Sequence, residues 1–316
     1  MNTNKIDWAR RFAQREIAGD AQEVPVHHDH DKSREIGCRE IAEKDFSILA
    51  NLLARGFPRH GARFWQDVLW RLSTRRTPTG FPRYGFLLES HNTIVGVVLT
   101  LFREVDIDKT STIRCNLSSW YVEPEFRCYA SLLQPRGPAY SNVTFVNITP
   151  ARHTLPLLKV QGFTQYSSGL FFAMPTARGP WNALVELFSA DIGAESNLGT
   201  AVGDLLREHT SCGCISVTCR YRNAWYPFVF KKWKPIHGIP SVYLVYCQDV
   251  EEFVRFAGPL GRFLAWRGFP LVVLDAVGPL AGLWGKFVSD QPKLFKGPNM
   301  PRLGDLAFSE RALFGF

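Results

Sequence analysis

No apolar run in the 316-residue chain reaches the roughly 20 residues that cross a bilayer, so no membrane span is expected. There is no charged start followed by an apolar core and a cleavage site, and therefore no secretory signal is expected. The seven cysteines are odd in number and irregular in spacing. They read as reduced thiols of a cytoplasmic protein rather than a disulfide framework. Cys212-Gly-Cys214 with Cys219 supplies three sulfurs. A zinc site wants a fourth ligand at defined spacing, and His209 nearby does not provide it, so no metal is expected. The sequence also lacks a Ser-His-Asp signature, a Walker loop and a dinucleotide fingerprint.

What is present is enough apolar sequence, 46%, for a sizeable core, and a formal charge of +8. The positive excess is spread along the chain. A small phosphorylated partner suits that spread better than nucleic acid does. Residues 220–234 (R-Y-R-N-A-W-Y-P-F-V-F-K-K-W-K) are the one basic, aromatic concentration. Such a segment stacks on single strands in some proteins. It is more often a strand pair with one basic face.

Periodicity divides the chain into three stretches. Residues 1–34 hold a short amphipathic helix (Ile6, Ala9, Phe12, Ala13) and a linker with His27, His28 and His30, which reads as solvated. Residues 35–175 begin with a strand at 36–41. Two helices follow, one with Phe46, Leu49, Ala50 and Leu53 on a face, the other with Phe64, Val68, Leu69 and Leu72. A hairpin is expected around His91-Asn92. Residues 175–180, with two prolines and a glycine, mark a boundary. In 176–316 helices are expected near 181–189 and 198–209, and strands at 214–221, 225–231 and 241–247. An Asp249-capped helix should run to Arg267, a buried strand should span 270–275, and the tail from Gly304 should close as a strand.

Residues 116–163 are the most informative stretch. A strand (115–122) is stopped by Glu123-Pro124-Glu125, a helix is expected at 128–136, a second strand at 143–148, and a short helix leads to Gln161-Gly162-Phe163. This order resembles the core of the GNAT acyltransferases, and the resemblance covers about residues 35–175. It implies an α/β fold with a mixed, mostly antiparallel twisted sheet flanked by helices, with 164–173 as the last strand. The later element order, three strands, a helix and a strand, echoes the first half, so a second, degenerate GNAT-like half is expected.

The resemblance also implies a chemistry. Acetyl-CoA or another acyl-CoA would be the co-substrate, and an unidentified amine would attack the thioester directly. Trp120, Tyr121 and Val122 would pair with pantetheine as an added strand, and a backbone N–H there would polarise the thioester carbonyl. Arg127, Cys128, Tyr129, Ala130, Ser131 and Leu132 would hold the pyrophosphate at a helix N-terminus. Ala130 and Leu132 stand where the family has glycines. The family's acid, a tyrosine four residues before Gly162, is replaced by Leu158. Tyr121, Glu123 and His153 are the candidate catalytic residues, with Tyr129 and Tyr166 as alternative acids and Glu125 as an alternative base. Leu132 and Leu158 favour the alternative, a catalytically inert GNAT-like module that binds a ligand or partner.

Overall fold

A computed structural model describes residues 36–107, 110–135, 137–174, 178–189, 191 and 198–315. The expected helix at 6–13 and the histidine tract lie outside these residues. Local sequence dictates the early elements well. After β1 (Ile36–Glu40) come α1 (Phe46–Gly56) and α2 (Ala62–Ser73). They bury Phe46, Leu49, Ala50 and Leu53, and Trp65, Val68, Leu69 and Leu72, which are faces at helical spacing. β2 (Gly85–Ser90) and β3 (Thr93–Ile107) meet at His91-Asn92, both left-handed at φ 49° and 62°, as a tight primed turn requires.

β4 (Thr110–Val122) pairs antiparallel with β3. A 3-10 helix (Pro124–Leu133), β5 (Val143–Asn147), α3 (Leu155–Val160) and β6 (Thr164–Ser167) complete the first run. The expected last strand at 164–173 is in fact two strands. Only Ser168 separates β6 from β7 (Gly169–Met174). One residue is too short for a hairpin, so β7 does not fold back on β6 and enters the second sheet. Gly169 permits this, because a Cβ there would lie 2.1 Å from the Val288 carbonyl oxygen.

The second run is β8 (Leu184–Leu187), α4 (Thr200–Ser211), β9 (Ile215–Tyr221), β10 (Ala224–Ile236), β11 (Ile239–Cys247), α5 (Val250–Arg255), α6 (Ala257–Trp266), β12 (Leu271–Ala276), β13 (Trp284–Val288), β14 (Lys293–Lys296) and α7 (Glu310–Leu313). Three expectations are corrected here. The helix near 181–189 is the edge strand β8, held by pairing with β9. The long Asp249 helix breaks at Phe256 into α5 and α6. The closing strand from Gly304 is a turn and a short helix, because Gly304 (φ 76°) and Phe308 (φ 59°) leave the extended region.

The two seven-stranded sheets have the orders β1-β2-β3-β4-β5-β14-β6 and β13-β7-β12-β11-β10-β9-β8. Read from β1 and from β8, they are the same arrangement twice, with one exchange. The strand that ends each half sits in the other half's sheet, β7 between β12 and β13, and β14 between β5 and β6. The first sheet buries one face against α1 and α2 and the other under the 3-10 helix and α3. The second packs against α5 and α6 through Phe253, Phe256, Leu260 and Leu264. A further core, with Val146, Ile148, Leu170, Val229, Tyr243 and Val273, draws on both sheets.

Candidate functional site

Each sheet contains one parallel pair at its centre, and each pair splays. β4 and β5 are paired from Ile113–Val143 to Asn116–Val146. β4 then continues to Val122 against β3 alone, so its other edge has no backbone partner among the described residues. A bulge lies in this free stretch. Ser118 faces Leu99 and Tyr121 faces Val97, with Ser119 left-handed at φ 51°. A bulge beside a splay re-aims backbone donors out of the ladder.

The corresponding splay in the second sheet is closed. β11 and β12 are paired from Ser241–Leu271 to Tyr243–Val273. Beyond that, the Leu306 amide donates to the Val245 carbonyl (2.8 Å) and the Cys247 amide to the Gly304 carbonyl (2.9 Å), with Tyr246 and Asp305 bridged antiparallel. β10 covers the opposite edge of β11, so this segment of the tail lies inside the splay. The helix that follows is closed as well. The Asp249 carboxylate accepts from the Glu251 amide (2.9 Å), and Glu251 and Glu252 fill the first turn. Carboxylates therefore occupy the place where a helix N-terminus would take an anion.

The same tail reaches the first sheet with buried charge. Asp305 accepts from Arg114 (2.8 Å) and lies 3.6 Å from Arg103 and 4.0 Å from Arg302. Burial pushes its carboxyl up, but the three guanidiniums overcome that and hold it well below the usual carboxylate range. Glu310, fully buried, accepts hydrogen bonds from the Thr149 hydroxyl (2.7 Å) and from the Asn116 amide. Asn116 is the last paired residue of β4 and Thr149 follows β5, so this carboxylate sits at the vertex of the open splay. Burial raises its pKa against the pull of Thr149, Asn116 and Arg311. The neighbouring Arg311 guanidinium lies over the rings of Trp233 (4.2 Å) and Tyr243 (4.4 Å). At the closed splay, Lys293 pairs with Asp275 at 2.6 Å, both buried, and donates to the Tyr243 hydroxyl (3.2 Å).

No protein-family model and no curated protein matches this sequence. Solved structures do. A GCN5-related N-acetyltransferase from Anabaena variabilis superposes with a TM-score of 0.56 at 10% identity, over 82% of this chain and 72% of that one. A conserved protein of unknown function from Enterococcus faecalis V583 gives 0.51 at 10% identity, over 86% and 74%. The fold is that of the GCN5-related N-acetyltransferases. The GNAT order is present twice, and the second copy is the one whose splay is shut.

Within the GNAT fold the structure distributes the expected residues unevenly. Tyr121 and Glu123 come together, the phenol donating to the carboxylate at 3.1 Å, and Glu123 also pairs with Arg55 (2.7 Å). The Tyr121 ring packs on Gly56, where a Cβ would be 2.4 Å from it, and near Phe57. Burial and the Glu123 contact raise its pKa. His153 is exposed on the turn after β5 and does not join that pair. Trp120 and Tyr129 border the opposite core, into which Val122 is buried. Arg127, Cys128 and Leu132 are exposed, while Ala130 and Ser131 are half-buried. The helix expected to start near Cys128 starts at Pro124 as a 3-10 helix, so residues 128–132 lie within it and not at its first turn. In that geometry their amides bond back three residues. Leu158 is buried in the core beneath, and Tyr166 is buried with its pKa driven well up by desolvation. Glu310 was missed by sequence reasoning. Its one signal is a Glu-Arg pair set inside the apolar run Leu306 to Phe314.

The cysteines do not converge. Cys214 and Cys219 belong to different cores, all seven are free thiols, and no group of three potential metal ligands occurs among the described residues. Nor is any described helix long and apolar enough to cross a membrane.

His209 instead anchors the tail. Its Nδ1–H donates to the Leu205 carbonyl (2.7 Å) and its Nε2 accepts from the Phe308 amide (3.0 Å), which fixes the neutral imidazole. Burial lowers its pKa to about 4. A depressed folded value means stability that is complete above the unfolded pKa of about 6.5 and is lost as pH falls through the folded one. Denaturant titrations should therefore show about 3 kcal/mol lost between pH 6.5 and 4. His209→Gln, which keeps an acceptor for Phe308, should flatten that window. An unchanged slope in the variant would assign the loss to other groups.

Proposed function

We propose that this chain is an acyl-CoA-dependent N-acyltransferase whose single working site is the open splay of the first half. The observation that carries the reading is the contrast between the two splays. One β4 edge is free and bulged beside a buried carboxylate, while its counterpart on β11 is filled by the chain itself. Pantetheine fits the free edge as an added strand along Trp120, Tyr121 and Val122. Residues 128–132 do not fit the amide cradle expected of them, so the phosphates fall chiefly to the exposed Arg127 guanidinium. Glu310 is the base. As the acceptor nitrogen bonds to the acyl carbon and the carbon–sulfur bond breaks, Glu310 takes the proton the nitrogen loses, and the electron pair leaves with the CoA thiolate. Its raised pKa suits that role. The seven free thiols suit a cytoplasmic setting.

A second reading, an inert GNAT-like module, is favoured by Leu158 at the family's acid position and by the 3-10 turn. Calorimetry and thermal shift with CoA and acetyl-CoA separate the two cofactor claims. Binding is expected, with Arg127→Ala weakening it about tenfold, the scale of one charge-assisted hydrogen bond. No binding at millimolar CoA would remove the acyltransferase reading. Binding without turnover across a panel of amines would leave the inert module.

A further inference from the structure

We propose that Asp305 is a positioning residue for the base: through Arg114 it sets where the tail lies on β4, and so holds the Glu310 carboxylate at the vertex of the open splay. This role rests on the acyltransferase reading above, in which Glu310 takes the proton.

Two acidic side chains of the tail dock on one strand. Asp305 accepts from Arg114 (2.8 Å), and Glu310 accepts from Asn116. Arg114 and Asn116 are two residues apart on β4, so they share a face of the sheet. Their neighbours Ile113, Cys115 and Leu117 pack on the opposite side. The tail between Asp305 and Glu310 is therefore fixed to β4 at both ends.

The backbone of that segment is held by the other half. The Cys247 amide donates to the Gly304 carbonyl, the Leu306 amide to the Val245 carbonyl and the Phe308 amide to His209. None of these contacts sets the tail against β4. Glu310 meets β4 through its side chain, and protonation in each turnover would loosen a contact made by the reacting group itself. Beyond Glu310 the chain is fixed by Leu313 and Phe314 in the core of α1 and α2. Ahead of it, Asp305 is the attachment. Arg103 on β3 reinforces it, 3.6 Å from Asp305 and 4.8 Å from the Phe308 ring centre. Against the effect of burial, three guanidiniums hold the Asp305 carboxyl well below the usual range, so it stays ionised and is itself a poor proton acceptor. Its short, charge-assisted bond to Arg114 suits a fixed anchor. A reacting group displaced by about 1 Å can lose on the order of 10² in rate.

The test measures thiol release from acetyl-CoA with an active amine. It uses the full chain carrying Asp305→Asn, Glu310→Gln or both, each checked for native fold by circular dichroism. Asp305→Asn should lower kcat about 10²-fold and leave acetyl-CoA affinity, read by calorimetry, unchanged. In the Glu310→Gln background the same change should cost little more, because residues that act as a unit are not additive. Asp305→Asn strips buried arginines of their carboxylate, so Arg114→Lys is the second variant, keeping the charge and shortening the reach. It should lower kcat less, and again only while Glu310 is present. Wild-type kcat in the folded variants, an equal loss with and without Glu310, or a loss of acetyl-CoA affinity instead would each overturn the positioning role and leave the base in place. A fully active Glu310→Gln, or no turnover by the wild type across the amine panel, would overturn both.

Discussion

Glu310→Gln is expected to slow acyl transfer by about 10²–10⁴-fold, the usual cost of losing a positioned general base, while leaving acyl-CoA affinity unchanged. The substitution keeps size and shape, and its amide oxygen still accepts from Thr149 or Asn116. It removes the capacity to take a proton together with one of the two acceptor oxygens. Glu123→Gln is the comparison. The Glu123 carboxylate is engaged by Arg55 and Tyr121, so this change should affect the rate little. The pH profile gives an independent reading. A base works only when deprotonated, and burial raises the Glu310 pKa. The acid limb of kcat/KM should therefore lie above the ordinary glutamate value of about 4.3. Full turnover in Glu310→Gln, measured as thiol release with an active amine, would eliminate Glu310. A loss confined to Glu123→Gln would move the base to the rim.

Neither half is expected to fold alone. A fragment of residues 36–175 lacks β14, so β5 and β6 face an empty lane, and it carries β7 with no strand to pair. A fragment of residues 178–316 has the reverse defect, a gap between β12 and β13 and an unpaired β14. Each gap removes two ladders at once and uncovers the core shared by the sheets. Circular dichroism and amide dispersion should show each fragment disordered or molten, and an equimolar mixture should regain native dispersion. A separately folded 36–175 fragment would mean that β7 returns to its own sheet when free to do so. The exchange also bears on synthesis. β14 pairs with β5 across about 150 residues, and such long-range pairing is slow and leaves edges exposed meanwhile.

The sequence disclosed whatever local period and turn chemistry control. The α1 and α2 faces, the His91-Asn92 turn, the strands β4 and β5, and the repeated element order were all legible, and with them the GNAT fold. The exchange was not. Period-two alternation marks a strand but says nothing about which sheet receives it, and a single residue, Ser168, decides that for β7. The tail was misread because the apolar residues at 306–308 and 312–314 resemble a buried strand, while the left-handed Phe308 that breaks it contacts His209. Residues 128–132 are not a helix start because Glu123-Pro124 opens the first turn of the 3-10 helix and does not merely stop β4. Glu310 is separated by more than 160 residues from the Thr149 it meets, and no local pattern encodes that meeting.

The plug at β11 is a tethered competitor. Residues 304–306 are held beside their groove by the short 297–303 connection, which gives them an effective concentration on the order of millimolar. A free ligand for the second groove must outbid that local dose to enter. Success would also carry a penalty elsewhere. The displaced segment leads directly into Glu310, so prying open the dormant groove would draw the carboxylate out of the vertex between β4 and β5. The closure of one groove and the carboxylate at the vertex of the other are thus tied through the five residues 306–310.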